Sequence, residues 1–189
     1  MNWLLDRLRA PLGLAIVIWL VFAAQIIVLG DMRAFGIRPG EFSGLIGLVT
    51  APFIHVSPGH ILANTLPLIV LGFFTNLNGR NFWTLTIFVA LIGGGLTWLL
   101  GRPVSHVGAS GLVFGFFGYL LMRGWRERSL TAVALALATL LLYGGLIWGV
   151  FPSFVRRYSW EGHLFGMIAG AAAAYIGTSR AREQQHPFE

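Results

Sequence analysis

Hydrophobic residues along this chain gather into long stretches separated by polar connectors, instead of alternating at the period of a half-buried strand. Six stretches stand out, at about 11–30, 55–75, 82–100, 107–123, 130–150 and 160–178. A helix needs roughly 20 apolar residues to cross the hydrocarbon core of a bilayer. The pattern therefore predicts an all-α, polytopic membrane protein: a bundle of six transmembrane helices forming a single domain over residues 1–189. The second and sixth stretches carry polar residues, and the fourth is short if its helix begins near Ala109. The first is longer than a signal-peptide core and lacks a small-residue cleavage site before Asp31, so it is expected to stay as a helix. The longest connector, 31–54, holds Phe35, Phe42, Leu45, Ile46 and Leu48. A loop this apolar is expected to lie in the membrane interface or against the helices.

Composition supports the same picture. Hydrophobic residues make up 56% of the chain and charged residues 11%, against about 25% charged in a soluble domain. So few charges cannot cover a soluble surface, and lipid must do the covering. The absence of cysteine removes disulfides and thiolate metal sites. A net charge of +6 can signal nucleic acid, but here all 13 basic residues are arginines set mostly between apolar runs. That placement points to membrane orientation and anionic headgroups, with no nucleic-acid partner. With the N-terminus inside, Arg7, Arg9, Arg80, Arg123, Arg126, Arg128, Arg180 and Arg182 are inside, and Arg33, Arg38, Arg102, Arg156 and Arg157 outside. The excess predicts that both termini lie in the cytoplasm, and the chain is expected to be a multi-pass protein of a prokaryotic cell membrane.

Polar residues within the apolar stretches carry the candidate chemistry, because such groups are costly at membrane depth. His60 and Asn64 lie four residues apart and share a helix face. Ser110 sits in Gly108-Ala109-Ser110-Gly111 at the head of the fourth stretch, and His163 near the start of the sixth. If alternate helices run inward and outward, His60, Ser110 and His163 all fall in the first turns of inward-running helices, at one depth. A serine at a helix N-terminus sees unpaired N–H groups that can stabilise an oxyanion. An imidazole near neutrality can serve as its base. Gly111, Gly115 and Gly118 on the fourth helix, with Gly166, Gly170 and Ala174 on the sixth, form small-residue stripes that let two membrane helices touch closely. No carboxylate is placed to complete a triad, since Glu161 is two residues from His163 and on nearly the opposite side of a helix. A Ser110–His163 dyad, with His60 and Asn64 as further oxyanion donors, is the simplest reading. No metal or cofactor is implied.

Each residue alone has a plainer reading. Ser110 can be a packing serine, His163 a buried interhelical histidine, and His60 with Asn64 hydrogen-bonding glue. His55 reads as structural, and His106 as an exposed loop residue near enough to Ser110 to act as a substitute base. His186 reads as inert, and Gly93-Gly94-Gly95 as a packing site. A non-catalytic protein binding client helices, or a small transporter or channel, would also place polar residues in the membrane.

Three separated elements nevertheless occur together: His55-Val-Ser-Pro-Gly-His60-Ile-Leu-Ala-Asn64, Gly108-Ala-Ser110-Gly111, and His163-Leu-Phe-Gly166-Met-Ile-Ala-Gly170. In order and spacing they resemble the rhomboid family of intramembrane serine proteases. The resemblance implies Ser110 as nucleophile, His163 as general base, and the Ser110 N–H, His60 and Asn64 as the oxyanion hole. The partner it implies is a transmembrane helix of another protein in the bilayer, cut near its outer end. The fifth helix and the 151–159 connector are implied to be gate and cap. Phe114 stands where family members often carry a tyrosine against the histidine, keeping the ring without the hydroxyl. The Trp-Arg pair often found in the family's first loop is absent from 31–54.

Overall fold

The computed structural model describes residues 2–77, 82–152 and 158–185. Arg80, Arg156, Arg157, His186 and most of the expected cap lie outside the described residues. Six long helices dominate. They are α1 (Asn2–Ala24, continued by a π-helical turn, Gln25–Leu29), α2 (Pro58–Asn76), α3 (Phe82–Leu100, with a π-helical turn at Val89–Gly93), α4 (Ser110–Glu127), α5 (Leu130–Tyr143, continued as a 3-10 helix, Gly144–Val150) and α6 (Trp160–Gln185). Among the described residues there is no β-strand, only an isolated antiparallel bridge between Ile37 and His106. The chain is an all-α, multi-pass membrane bundle.

Four of these helices, α1, α2, α3 and α5 with their extensions, are long and apolar enough to cross a membrane. The other two carry Ser110 and His163. In α4 every residue from Leu112 to Leu120 is buried, so protein rather than lipid surrounds it. A helix sheathed by its neighbours can carry glycine and polar groups that a lipid-facing helix could not. Its most extensive contact is with α6, followed by α5 and α2.

The helix ends differ from the apolar runs in ways the side chains explain. The first apolar run starts at Pro11, yet α1 begins at Asn2. Proline has no N–H to offer the Arg7 carbonyl one turn earlier; the Asn76 side-chain amide donates to that carbonyl instead, at 2.7 Å. At α2 the Ser57 hydroxyl accepts the His60 N–H at 3.1 Å and Pro58 follows it, so the helix starts after His55 rather than at it. The last apolar run extends through α6 to Gln185. The connector 31–54 coils into short helical turns that bury Ile37, Ala51 and Ile54 and leave Phe42, Ile46 and Val49 outward. Within the triple glycine, Gly93 abuts the backbone of Gly166 and Gly94 abuts Ile37 and Leu48, whereas Gly95 faces open space.

Candidate active site

Ser110 is the first residue of α4, and this helix start lacks a capping side chain. At α2 and α5, serine hydroxyls take up a first-turn N–H, and Ser159 does the same for Gly162 at 3.2 Å at the head of α6. The uncapped start leaves first-turn N–H groups of α4 without an intrahelical acceptor, with the positive end of the helix dipole beside the Ser110 hydroxyl.

Opposite stands His163, in the first turns of α6. Its Nε2 lies 2.9 Å from Ser110 Oγ, and its Nδ1 lies 2.9 Å from the Gly149 carbonyl oxygen. A carbonyl only accepts, so Nδ1 carries the proton and the Nε2 lone pair is left to accept from the serine hydroxyl. Phe114, one turn below Ser110, stacks on the imidazole with centroids 4.1 Å apart and planes within 5°. The Tyr158 ring is also near-parallel to it, at 5.5 Å. Below the pair, α4 and α6 meet backbone to backbone: Cβ atoms on Gly166 and Gly170 would overlap the carbonyl groups of Gly111 and Gly115. A Cβ on Gly118 would likewise overlap Met167, but one on Gly111 would meet only the Gly162 oxygen, at 3.5 Å.

His60 and Asn64 reach the same place from α2. Gly108, two residues before the serine, has φ +110°, and a Cβ there would stand 2.6 Å from His60 Nε2 and 3.6 Å from Asn64 Nδ2. Only glycine lets that turn lie against both side chains. Asn64 donates from Nδ2 to His55 Nε2 at 3.1 Å, and the Ala109 N–H approaches the same nitrogen at 3.3 Å. Two donors on one nitrogen fix His55 as the Nδ1-protonated tautomer. They also fix which way the Asn64 amide points.

His55 thus touches the chain immediately before Ser110, a connection that its place in the sequence did not reveal. His106 is not exposed: it is buried, with Nδ1 2.6 Å from Ser159 Oγ and Nε2 3.1 Å from the Arg102 carbonyl oxygen. Both ring nitrogens are therefore engaged away from Ser110, and its expected role as a substitute base is not met. Glu161 is buried and its carboxylate is taken up by Arg102. Of the arginines expected on the inner side, Arg123 pairs with Glu127 at 2.8 Å and Arg126 lies 4.3 Å from the Tyr175 ring centre, so both also serve packing. Among the described residues no cluster of histidine and carboxylate side chains could hold a metal ion.

Comparison with known proteins bears on this arrangement. A sequence model of the rhomboid domain matches residues 43–180. An uncharacterised protein of Mycobacterium tuberculosis is 40% identical over 158 residues, covering 78% of this chain and 65% of its own length. One from Mycobacterium leprae is 38% identical over 164 residues, 78% of this chain and 62% of the relative. The rhomboid protease GlpG of Salmonella newport is 30% identical over 137 residues, 70% of this chain and 48% of that protein. The chain therefore spans just under two thirds of the mycobacterial relatives and about half of GlpG.

Proposed function

This chain belongs to the rhomboid family, and from that premise we propose that it is an intramembrane serine endopeptidase cleaving transmembrane segments of other membrane proteins with a Ser110–His163 dyad. The observation that carries the proposal is the 2.9 Å contact between Ser110 Oγ and His163 Nε2, with Nδ1 on the Gly149 carbonyl. A packing serine has no need of an imidazole whose tautomer is set to receive its proton.

In this reading Ser110 Oγ attacks the scissile carbonyl carbon while its proton passes to His163 Nε2. The oxyanion is received by the Ser110 N–H, His60 and Asn64. His163 then returns the proton to the leaving amine, and water, activated by the same imidazole, hydrolyses the acyl-enzyme. Phe114 keeps the imidazole plane facing the serine, and Gly166 and Gly170 let α6 come close enough for the contact. All six helices cross the membrane, with the N- and C-termini in the cytoplasm of a prokaryotic cell and the dyad below the outer surface. The substrate helix approaches beside α5.

Cleavage of a reporter transmembrane substrate in proteoliposomes tests the proposal. Ser110→Ala and His163→Ala should each abolish cleavage while melting like wild type. Equal cleavage by folded Ser110→Ala would remove it, and an unreactive wild type that still binds client helices would favour a non-catalytic role.

A further inference from the structure

Four polar residues at the outer ends of α4 and α6 take no part in the chemistry above. Arg102 and His106 lie in the connector leading to Ser110; Ser159 and Glu161 stand at the opening of α6. The Arg102 guanidinium grips the Glu161 carboxylate through Nε on Oε1 and Nη2 on Oε2, the latter at 3.0 Å. The Arg102 backbone N–H adds a contact to Oε1 at 3.3 Å. The Glu161 side chain is 1% exposed, so its charge depends on that partner. His106 Nε2 faces the Arg102 carbonyl, which can only accept, so Nδ1 receives the Ser159 hydroxyl. Ser159 Oγ in turn accepts the Gly162 N–H. Burial pushes His106 below its ordinary pKa, which keeps it in the neutral form this chain of bonds requires.

The network and the dyad share a register. His106 and Ser159 are 53 positions apart, and so are Ser110 and His163. Each partner of the outer pair precedes its dyad counterpart by four residues. The two segments therefore run side by side through the network, into the dyad, and on into the glycine contacts. Glycine contacts bring backbones close but present few ridges that would resist sliding. Directional polar pairs do resist it, and fixing register is the best-attested use of such groups. A slip of one helical residue moves a side chain about 1.5 Å, enough to lengthen and misalign the hydrogen bond between Ser110 and His163.

We infer that Arg102, His106, Ser159 and Glu161 form a register clamp: positioning residues that hold the N-termini of α4 and α6 in the one alignment where Ser110 meets His163. The inference rests on the proteolytic reading above. Its test uses the full chain in proteoliposomes, with two readouts: turnover of a reporter transmembrane substrate and the rate of Ser110 labelling by a fluorophosphonate. Glu161→Gln and Arg102→Met should lower both kcat and labelling on the order of 10- to 100-fold, with KM little changed. Arg102→Lys, which keeps the charge but not the fork, should fall between. Ser159→Ala and His106→Phe should each lower kcat, and the double variant should fall no further than the worse single one, since both remove the same link. Ser159→Ala deletes one hydroxyl and supplies the readout if Glu161→Gln does not fold. Wild-type kcat in folded clamp variants, additive losses, or losses confined to KM would overturn the clamp. A wild type that neither cleaves nor labels would instead overturn the proteolytic reading, and the clamp's purpose with it.

Discussion

Replacing Gly170 by alanine probes how far the dyad depends on backbone contact between α4 and α6. A Cβ at that position would stand 2.6 Å from the Gly115 carbonyl carbon and 2.9 Å from its Cα, and closer still to the carbonyl oxygen. Carbon atoms in contact prefer roughly 3.5–4.0 Å, and a backbone carbonyl cannot rotate away as a side chain could. The helices must therefore part by about 1 Å at this level. Ser110 Oγ and His163 Nε2 begin 2.9 Å apart; the same displacement carried up to the dyad brings them close to 4 Å, where the hydrogen bond is gone. Overpacking of this kind costs about 1–3 kcal/mol in stability, while a 1 Å misplacement at a reacting centre can cost on the order of 100-fold in rate. Gly170→Ala should accordingly melt somewhat lower but remain folded, with kcat on a reporter transmembrane substrate reduced on the order of 100-fold. Gly95→Ala, where the added carbon meets open space, is the matched control and should behave as wild type. Gly170→Ala cleaving at the wild-type rate would mean that helix approach does not set the dyad distance.

Other expectations follow from the same geometry. Gly149→Ala places a carbon 2.6 Å from Phe114 Cζ and 3.2 Å from His163 Nδ1, so it should slow fluorophosphonate labelling of Ser110 more than it lowers the melting temperature. Gly108→Ala combines a φ of +110° with a carbon 2.6 Å from the His60 ring; it should destabilise the chain by more than about 1 kcal/mol and reduce kcat, as both melting and turnover will show. Asn64→Ala should reduce kcat by about 10²- to 10³-fold, the usual loss for one oxyanion donor, with little change in KM. His106 should make stability depend on pH, because burial lowers its pKa in the folded chain. The unfolded state then binds the extra proton first, so the His106 contribution is fully present above about pH 6.5 and is lost as pH falls toward the folded value. Thermal unfolding from pH 8 to 5 should show a shallower acid-side loss in His106→Asn than in wild type.

Much of the candidate site was legible in the sequence because its polar groups sit in segments that are otherwise apolar. Ser110, His163, His60 and Asn64 stood out as polar residues in apolar runs, and Gly166 with Gly170 as a four-residue stripe. The part played by Gly111 was less readable: its own Cβ direction is nearly free, and it matters because Gly166 presses on its carbonyl. The sequence did not disclose contacts between connectors and distant helices. His55 meets Ala109 across 54 positions, and Arg102 meets Glu161 across 59. Neither pairing has any local signal. The start of α1 was obscured for a related reason. The first apolar run begins only near Pro11, and the group that makes Pro11 tolerable, Asn76, lies 69 residues away from the carbonyl it satisfies.

In the proposed mechanism the imidazole of α6 activates the hydroxyl of α4. Site-resolved mass spectrometry after fluorophosphonate treatment of the full chain in membranes reports on that activation. A single adduct on Ser110 is expected in wild type and none in His163→Ala at matched exposure. Labelling of Ser110 at the same rate without His163, or an adduct on another residue in place of Ser110, would contradict it.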